Sequence, residues 1–166
     1  MNLAETLKHF NITSIWHFTD ESNLASIQKH GLLSLALLEK NIIDVSCYGA
    51  NEDSHIRDRA KGLDKYVHLS IIKDHPMQYI KKRDREIPNP IWLEVDVSVL
   101  FENKSGCCKE IANAGGAKCY DIEKIAEEID LRVLLNNPHW SNPIRKAQLI
   151  VANKIDYSKI KGVTRG

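Results

Sequence analysis

His17 and Thr19 stand two apart in Ile15-Trp16-His17-Phe18-Thr19-Asp20-Glu21-Ser22-Asn23-Leu24, which reads as a short buried strand turning directly into a helix. Side chains two apart on an extended chain point to the same side, so an imidazole and a hydroxyl arrive together at the strand's end. Thr19 or Asp20 can cap the helix by accepting one of its unpaired first-turn N–H groups. Leu24, Ile27 and Leu32 give that helix its apolar face, and Gly31 is its expected stop. Such N–H groups, with the positive end of the helix dipole, favour bound anions. The plainer reading makes His17 a satisfied structural residue.

The elements that must hold this stretch follow from pattern. Met1–Phe10 predicts an amphipathic helix with Leu3, Leu7 and Phe10 on one side, and Ser34–Asn41 a second short helix. Residues 44–54 mix Gly, Asn, Ser and Cys, a loop of a length that tends to be functional. A basic helical turn is expected at His55–Lys61, where Arg57 and Arg59 at i and i+2 cannot share a face. Tyr66–Ile72 alternates as a strand with His68 and Ser70 on one side. Pro76 suits the first turn of a helix or turn beginning at His75, and Lys81–Arg85 reads as a solvated basic run. Ile91–Val97 is the clearest strand, with Ile91, Leu93, Val95 and Val97 facing one way and Trp92, Glu94 and Asp96 the other. Phe101–Lys118 reads as irregular, its Asn113-Ala114-Gly115-Gly116-Ala117 able to approach a ligand closely. Asp121–Leu135 predicts one helix with Ile122, Ile125, Ile129 and Val133 as core. A loop over 136–143 leads to a buried strand at Lys146–Ala152, and a last strand or turn at Ile155–Val163. Strands and short helices mix without βαβ rhythm or a Gly-rich phosphate loop, which predicts α+β with a split or two-sheet core.

Composition sets bounds. A chain of 166 residues fits one domain over 1–166 with a substantial core. A net charge of +1 excludes a polycationic nucleic-acid arm while allowing a local basic groove. No apolar run is long enough for a membrane span, and Glu5 with no basic-then-apolar block argues against a secretory leader. Cys47, Cys107, Cys108 and Cys119 lack CxxC spacing, so free thiols in a reducing cytoplasm are expected, with zinc on Cys107, Cys119 and a histidine the lesser reading.

Taken together these pieces resemble the DarT family, toxins that ADP-ribosylate DNA bases using NAD. The likeness begins at His17-Phe18-Thr19 with Asn23-Leu24, Ile27 and Gly31-Leu32-Leu33-Ser34. It continues through Ile56-Arg57-Asp58-Arg59, Pro76-Met77, the central strand and Asn113-Ala114, and ends at Lys146-Ala147-Gln148-Leu149-Ile150-Val151. It spans roughly residues 12 to 163. The resemblance implies an ADP-ribosyltransferase-like split core of two small, mainly antiparallel sheets with peripheral helices. It implies NAD as co-substrate with no metal, single-stranded DNA as target, and a cognate antitoxin as partner. His17, Phe18 and Thr19 fall to the nicotinamide side, and Asn23 with Leu24 to the ribose or phosphate. Arg59, carried over as catalytic together with Gln148, and less so Arg57, falls to a phosphate or the target base, and Arg57, His68, Ser70 and Met77 to the substrate.

Gln148 departs from the family. It occupies the catalytic glutamate position, and an amide matches a carboxylate in shape but takes up no proton. It is either a deliberate Glu→Gln change that tames a toxic enzyme, the favoured reading, or a natural branch; a third option lets Glu94 or Asp96 serve instead. Backbone contacts to DNA fall to Arg57, Arg59 and the Lys81–Arg85 run, and base stacking to Tyr48, Trp92 or Trp140, with Trp92 better read as core. Transfer to RNA or protein, and a non-catalytic binding module, remain the competing functions.

Overall fold

The computed structural model describes residues 1–46, 48 and 52–165. In chain order the elements are α1 (Leu3–His9), β1 (Ser14–Asp20), α2 (Leu24–His30), β2 (Leu32–Leu33), α3 (Leu35–Lys40) and α4 (Glu52–Lys61). Then come β3 (Tyr66–Ser70), α5 (Pro76–Arg83), β4 (Pro90–Asp96), α6 (Val99–Glu102), β5 (Ser105–Cys108) and β6 (Cys119–Asp121). The chain closes with α7 (Ile125–Glu128), α8 (Leu131–Leu135), β7 (Gln148–Ala152), β8 (Lys154–Ile155) and β9 (Ile160–Arg165).

Among the described residues the strands form a seven-stranded sheet, ordered β6-β5-β7-β3-β1-β4-β9, and a two-stranded ribbon of β2 and β8. Every pairing is antiparallel. The α+β expectation holds, with the strands divided unequally between the two sheets. The large sheet is itself split. β1 pairs with β4 along its whole length, whereas β1 meets β3 only at Trp16↔Ser70. A half made of β9, β4 and β1 therefore joins a half made of β3, β7, β5 and β6 at one pair.

One face buries Ile15, Val67, Leu69, Leu93, Val95, Leu149 and Val151 beneath Leu3 and Leu7 of α1, Ile125 of α7, and Leu131 and Leu134 of α8. The opposite face of β7 and β5 carries a smaller cluster of Leu63, Cys108, Ala112 and Ile150. Alternation along β4 is as expected, and Trp92 is 0% exposed. The indole is core, edge-on to Phe18 at 5.5 Å, so it offers no surface for stacking a base.

Four local expectations need correction. Phe101–Lys118 is not irregular throughout: α6 and β5 lie at its start. Its Gly-Cys-Cys run is too short and unpatterned to show a strand, and pairing with β7 supplies the reason it forms. Asp121–Leu135 is not one helix, because Ile129 turns extended and Asp130 caps a new start by accepting the Val133 N–H at 3.1 Å. That break sends Val133 outward, 41% exposed, and Leu131 and Leu134 inward. Within the basic run Lys81 is buried against Glu86 rather than solvated. Cys108 and Cys119, register partners across β5 and β6, are disulfide-bonded rather than free. Cys107 remains a buried thiol whose pKa desolvation pushes up to about 12. Cys47 and part of the 44–54 loop lie outside the described residues.

Candidate active site

The cleft opens where the sheet splits. Beyond Trp16↔Ser70 the two strands part, so the end of β1 and the start of β3 flank a gap. Trp16, His17, Phe18, Thr19, His68, Ser70 and Gln148 line it, with His55 and Asp58 of α4, His75 and Met77 near the start of α5, and Asn113. A groove continues from His17 and Thr19 past Asn23, Ser26 and His30.

His17 bridges the split: its Nδ1 lies 2.8 Å from the His68 carbonyl oxygen. A carbonyl only accepts, so Nδ1 carries the proton and Nε2 of the neutral ring is a free acceptor position. Burial lowers the His17 pKa, partly offset by that hydrogen bond, and the neighbouring His68 lowers it further. The ring is thus neutral near pH 7, with its tautomer set by the backbone of the other half-sheet.

The expected cap falls to Asp20, whose Oδ1 accepts the Ser22 N–H at 2.9 Å and whose Oδ2 accepts the Asn89 N–H at 2.8 Å. Burial alone raises the Asp20 pKa, but these hydrogen bonds outweigh it and hold the carboxyl below its usual value. Thr19 is buried, its Oγ1 accepting from Asn23 Nδ2 at 3.0 Å, while Asn23 Oδ1 accepts the Ser46 N–H at 3.1 Å. Asn23 therefore ties the strand end to the following loop. Gly31 stops α2 at φ +81°.

Gln148 begins β7 opposite Ser70 and Cys108. Its Oε1 accepts the Ala112 N–H at 2.9 Å, which leaves its amide N–H groups, donors only, for the cleft. The loop that supplies this partner is itself held by α4. Lys61 Nζ donates to the carbonyls of Ala112, Ala114 and Ala117 at 3.2, 2.7 and 3.2 Å. Asn113 Nδ2 donates to Ser54 Oγ at 2.7 Å.

Of the residues singled out from sequence, the structure gathers His17, Phe18, Thr19, His68, Ser70, Met77 and Gln148 in one cleft, with Asn23 on the adjoining groove. It does not bring in Leu24, which packs on the core. Arg57 is exposed, and Arg59 is ion-paired with Glu39 and Glu52 outside the cleft lining. Glu94 is bonded to Ser14 and Asp96 to the Ser98 N–H, so neither carboxylate faces the cleft. Tyr48 does line it, edge-on to His55, and Trp140 stands 77% exposed away from it. Sequence reasoning missed His55, Asp58 and His75. The signal for the first two was their i, i+3 spacing, hidden because α4 begins at Glu52 rather than at His55. His75 accepts the Met77 N–H at Nδ1, and burial takes its pKa to about 4 despite a nearby Lys146 carbonyl.

The split antiparallel sheet thus brings a neutral imidazole and the residue at the head of the facing strand to one cleft shared by its two halves. Over residues 16–164 the chain matches the family described as "ssDNA thymidine ADP-ribosyltransferase, DarT", and it belongs to that family. Its fold is similar to that of Thermus sp. 2.9 DarT in complex with ADP-ribosylated ssDNA, with TM-score 0.71 and 17% identity over 92% of this chain and 81% of that one. The same Thermus protein in complex with NAD+ gives TM-score 0.68 and 16% identity over the same shares. Thermosipho africanus DarTG in complex with ADP-ribose gives TM-score 0.71 and 17% identity over 91% of this chain, which spans 43% of that longer one. None of the curated proteins matches it.

Proposed function

We propose that this protein transfers ADP-ribose from NAD to a base of single-stranded DNA, thymidine by the family's description, as the toxin of a pair with a cognate antitoxin. The observation that supports this most is the meeting of His17 and Gln148 in one cleft at the split of the sheet. In this reading the nicotinamide end of NAD lies against His17 and Thr19, with His17 Nε2 accepting from the carboxamide N–H. The rest of the dinucleotide follows the groove past Asn23 and Ser26. His68, Ser70 and Met77 border the reacting sugar and the incoming base, and Arg57 and Arg59 act on the DNA outside the cleft. Breaking the bond between nicotinamide and ribose leaves an oxocarbenium-like carbon, which a fixed negative charge or dipole stabilises. Gln148 offers only a dipole, and its amide cannot remove the proton of the attacking nitrogen. Single strands suit the chemistry because ring nitrogens used in pairing are out of reach in a duplex. No helix among the described residues is long and apolar enough to cross a membrane, and NAD and DNA as substrates suit a cytoplasmic setting.

The test incubates the chain and its Gln148→Glu variant with labelled NAD and a thymidine-containing single strand, an RNA of the same sequence, or protein. Label on DNA and release of nicotinamide, about 10²–10⁴-fold faster for the variant, are the expected results. Label on RNA or protein alone moves the target. NAD-dependent stabilisation, about 2.7 kcal/mol at 100-fold excess over Kd, with no transfer by either form makes the chain a binding module.

A further inference from the structure

The cleft contains a buried carboxylate on α4. Asp58 projects from the buried face of α4, is 8% exposed, and lines the cleft. Its Oδ1 is buried with no hydrogen-bond partner among the described residues. The nearest basic group is the His68 ring, whose Nε2 lies 4.0 Å from Oδ1 and 3.2 Å from the Leu63 carbonyl oxygen. No lysine or arginine lines the cleft among the described residues, and Asp64 is the other acid there. A buried carboxylate oxygen that accepts no hydrogen bond is costly, and chains retain one where a ligand supplies the missing charge. NAD does so, since its nicotinamide ring carries a fixed positive charge that passes to the ribose carbon as the ring departs.

Asp58 lines the same cleft as Gln148, which holds the family's glutamate position. Ser70 faces Gln148 and His68 faces Ile150 across β3 and β7, so His68 and Gln148 are diagonal neighbours on one face of the sheet. Asp58 reaches that face from above His68. Glu94 and Asp96, the carboxylates considered from sequence, lie outside it.

We infer that Asp58 supplies the negative charge and the proton acceptor that Gln148 lacks, a deepening that rests on the transferase reading above. The bond between the ribose carbon and the nicotinamide nitrogen breaks, with both electrons leaving on the ring and neutralising it. The lone pair of the base nitrogen forms the new bond to the ribose carbon. The proton of that nitrogen passes to Asp58 and then to solvent, so charge and atoms balance. Asp58 touches the reacting centre in this arrangement and is a catalytic residue of a chain whose glutamate position is filled by an amide.

The experiment is a double-mutant cycle of Asp58→Asn and Gln148→Glu, reading nicotinamide release and labelled single-stranded DNA, with NAD-induced melting shifts as the check on binding. In the unmutated chain D58N is expected to lower kcat by about 10²-fold while KM for NAD changes less than about threefold. In the Q148E background the same change is expected to cost less than about tenfold, because a carboxylate is restored. D58N activity within threefold of the unmutated chain overturns the inference, as does an equal loss in both backgrounds. Activity of Q148E with none in the unmutated chain also overturns it while leaving the transferase reading intact. Absence of both NAD binding and turnover in every form overturns the transferase reading with it. Asp58→Glu, which keeps the charge, separates lost chemistry from lost folding: it retains at least a tenth of the activity if the charge is what matters, and loss equal to that of D58N overturns the inference.

Discussion

His17 and Gln148 belong to opposite faces of the sheet by register, yet they share a cleft. Trp16 faces Ser70, and Ser70 faces Gln148, so those three side chains lie on one side and His17 on the other. Only the parting of β1 from β3 after that pair lets His17 turn into the gap and reach the His68 carbonyl. The split thus replaces a second domain as the means of making a cleft.

His17→Ala removes the acceptor offered to the nicotinamide side together with the hydrogen bond across the split. The expected result is about tenfold weaker NAD binding, equivalent to one hydrogen bond of about 1.4 kcal/mol. Calorimetric titration with NAD checks it. An unchanged Kd removes His17 from the nicotinamide subsite.

His75 predicts a pH dependence of stability. Burial lowers its pKa from 6.5 to about 4, so between those values the unfolded chain binds a proton that the folded one refuses. Folding stability is whole above pH 6.5 and falls as pH drops toward 4, by about 3 kcal/mol in total. His75→Asn keeps an acceptor for the Met77 N–H without the titration. Urea melts from pH 7 to 4 should lose about 3 kcal/mol more in the unmutated chain than in the variant. Parallel losses count against a neutral His75.

How much of this was legible in the sequence varied with how local its causes are. β1, its cap at Asp20, the stop at Gly31 and the alternation of β4 follow from periodicity and turn chemistry within a few residues. β5 did not, because Ser-Gly-Cys-Cys becomes a strand by pairing with β7, 40 or more residues away. Arg59 drew attention by its charge and place in the motif, but the ion pairs with Glu39 and Glu52 hold it outside the cleft lining. Asp58 beside it carries no such local signal, since only the length and orientation of α4 turn that carboxylate inward.

Lys61 is the clamp on the loop that orients Gln148, with one ammonium holding the carbonyls of Ala112, Ala114 and Ala117. Lys61→Met keeps the aliphatic stem and deletes the three donors. Global stability should fall by only about 1 kcal/mol, since the group is at the surface. Amide exchange over 112–117 should speed up well beyond the global change, with turnover falling alongside. Protection left intact over that segment would show that the carbonyls do not depend on Lys61.

Gly31→Ala tests the joint between the site's helix and the small ribbon. Gly31 has φ +81°, and a Cβ built there lies 2.6 Å from the Ile155 carbonyl oxygen, a backbone atom of β8 that cannot swing aside. With ψ −177° the Gly31 backbone sits in a region essentially open only to glycine, where strain of about 1–3 kcal/mol adds to about 1–3 kcal/mol of overpacking. Because Leu32 pairs with Ile155 in the next position, the clash is passed directly into β2 and β8. Gly62 provides the control: its φ is +71°, but nothing lies within 4 Å of a Cβ there. Gly62→Ala, in the left-handed helical region, should therefore cost only about 1–2 kcal/mol of backbone strain, a fall in Tm of about 2–8 °C, against about 4–24 °C for Gly31→Ala. Equal shifts for the two variants would mean that the backbone angle alone, not the approach of β8, requires glycine at position 31.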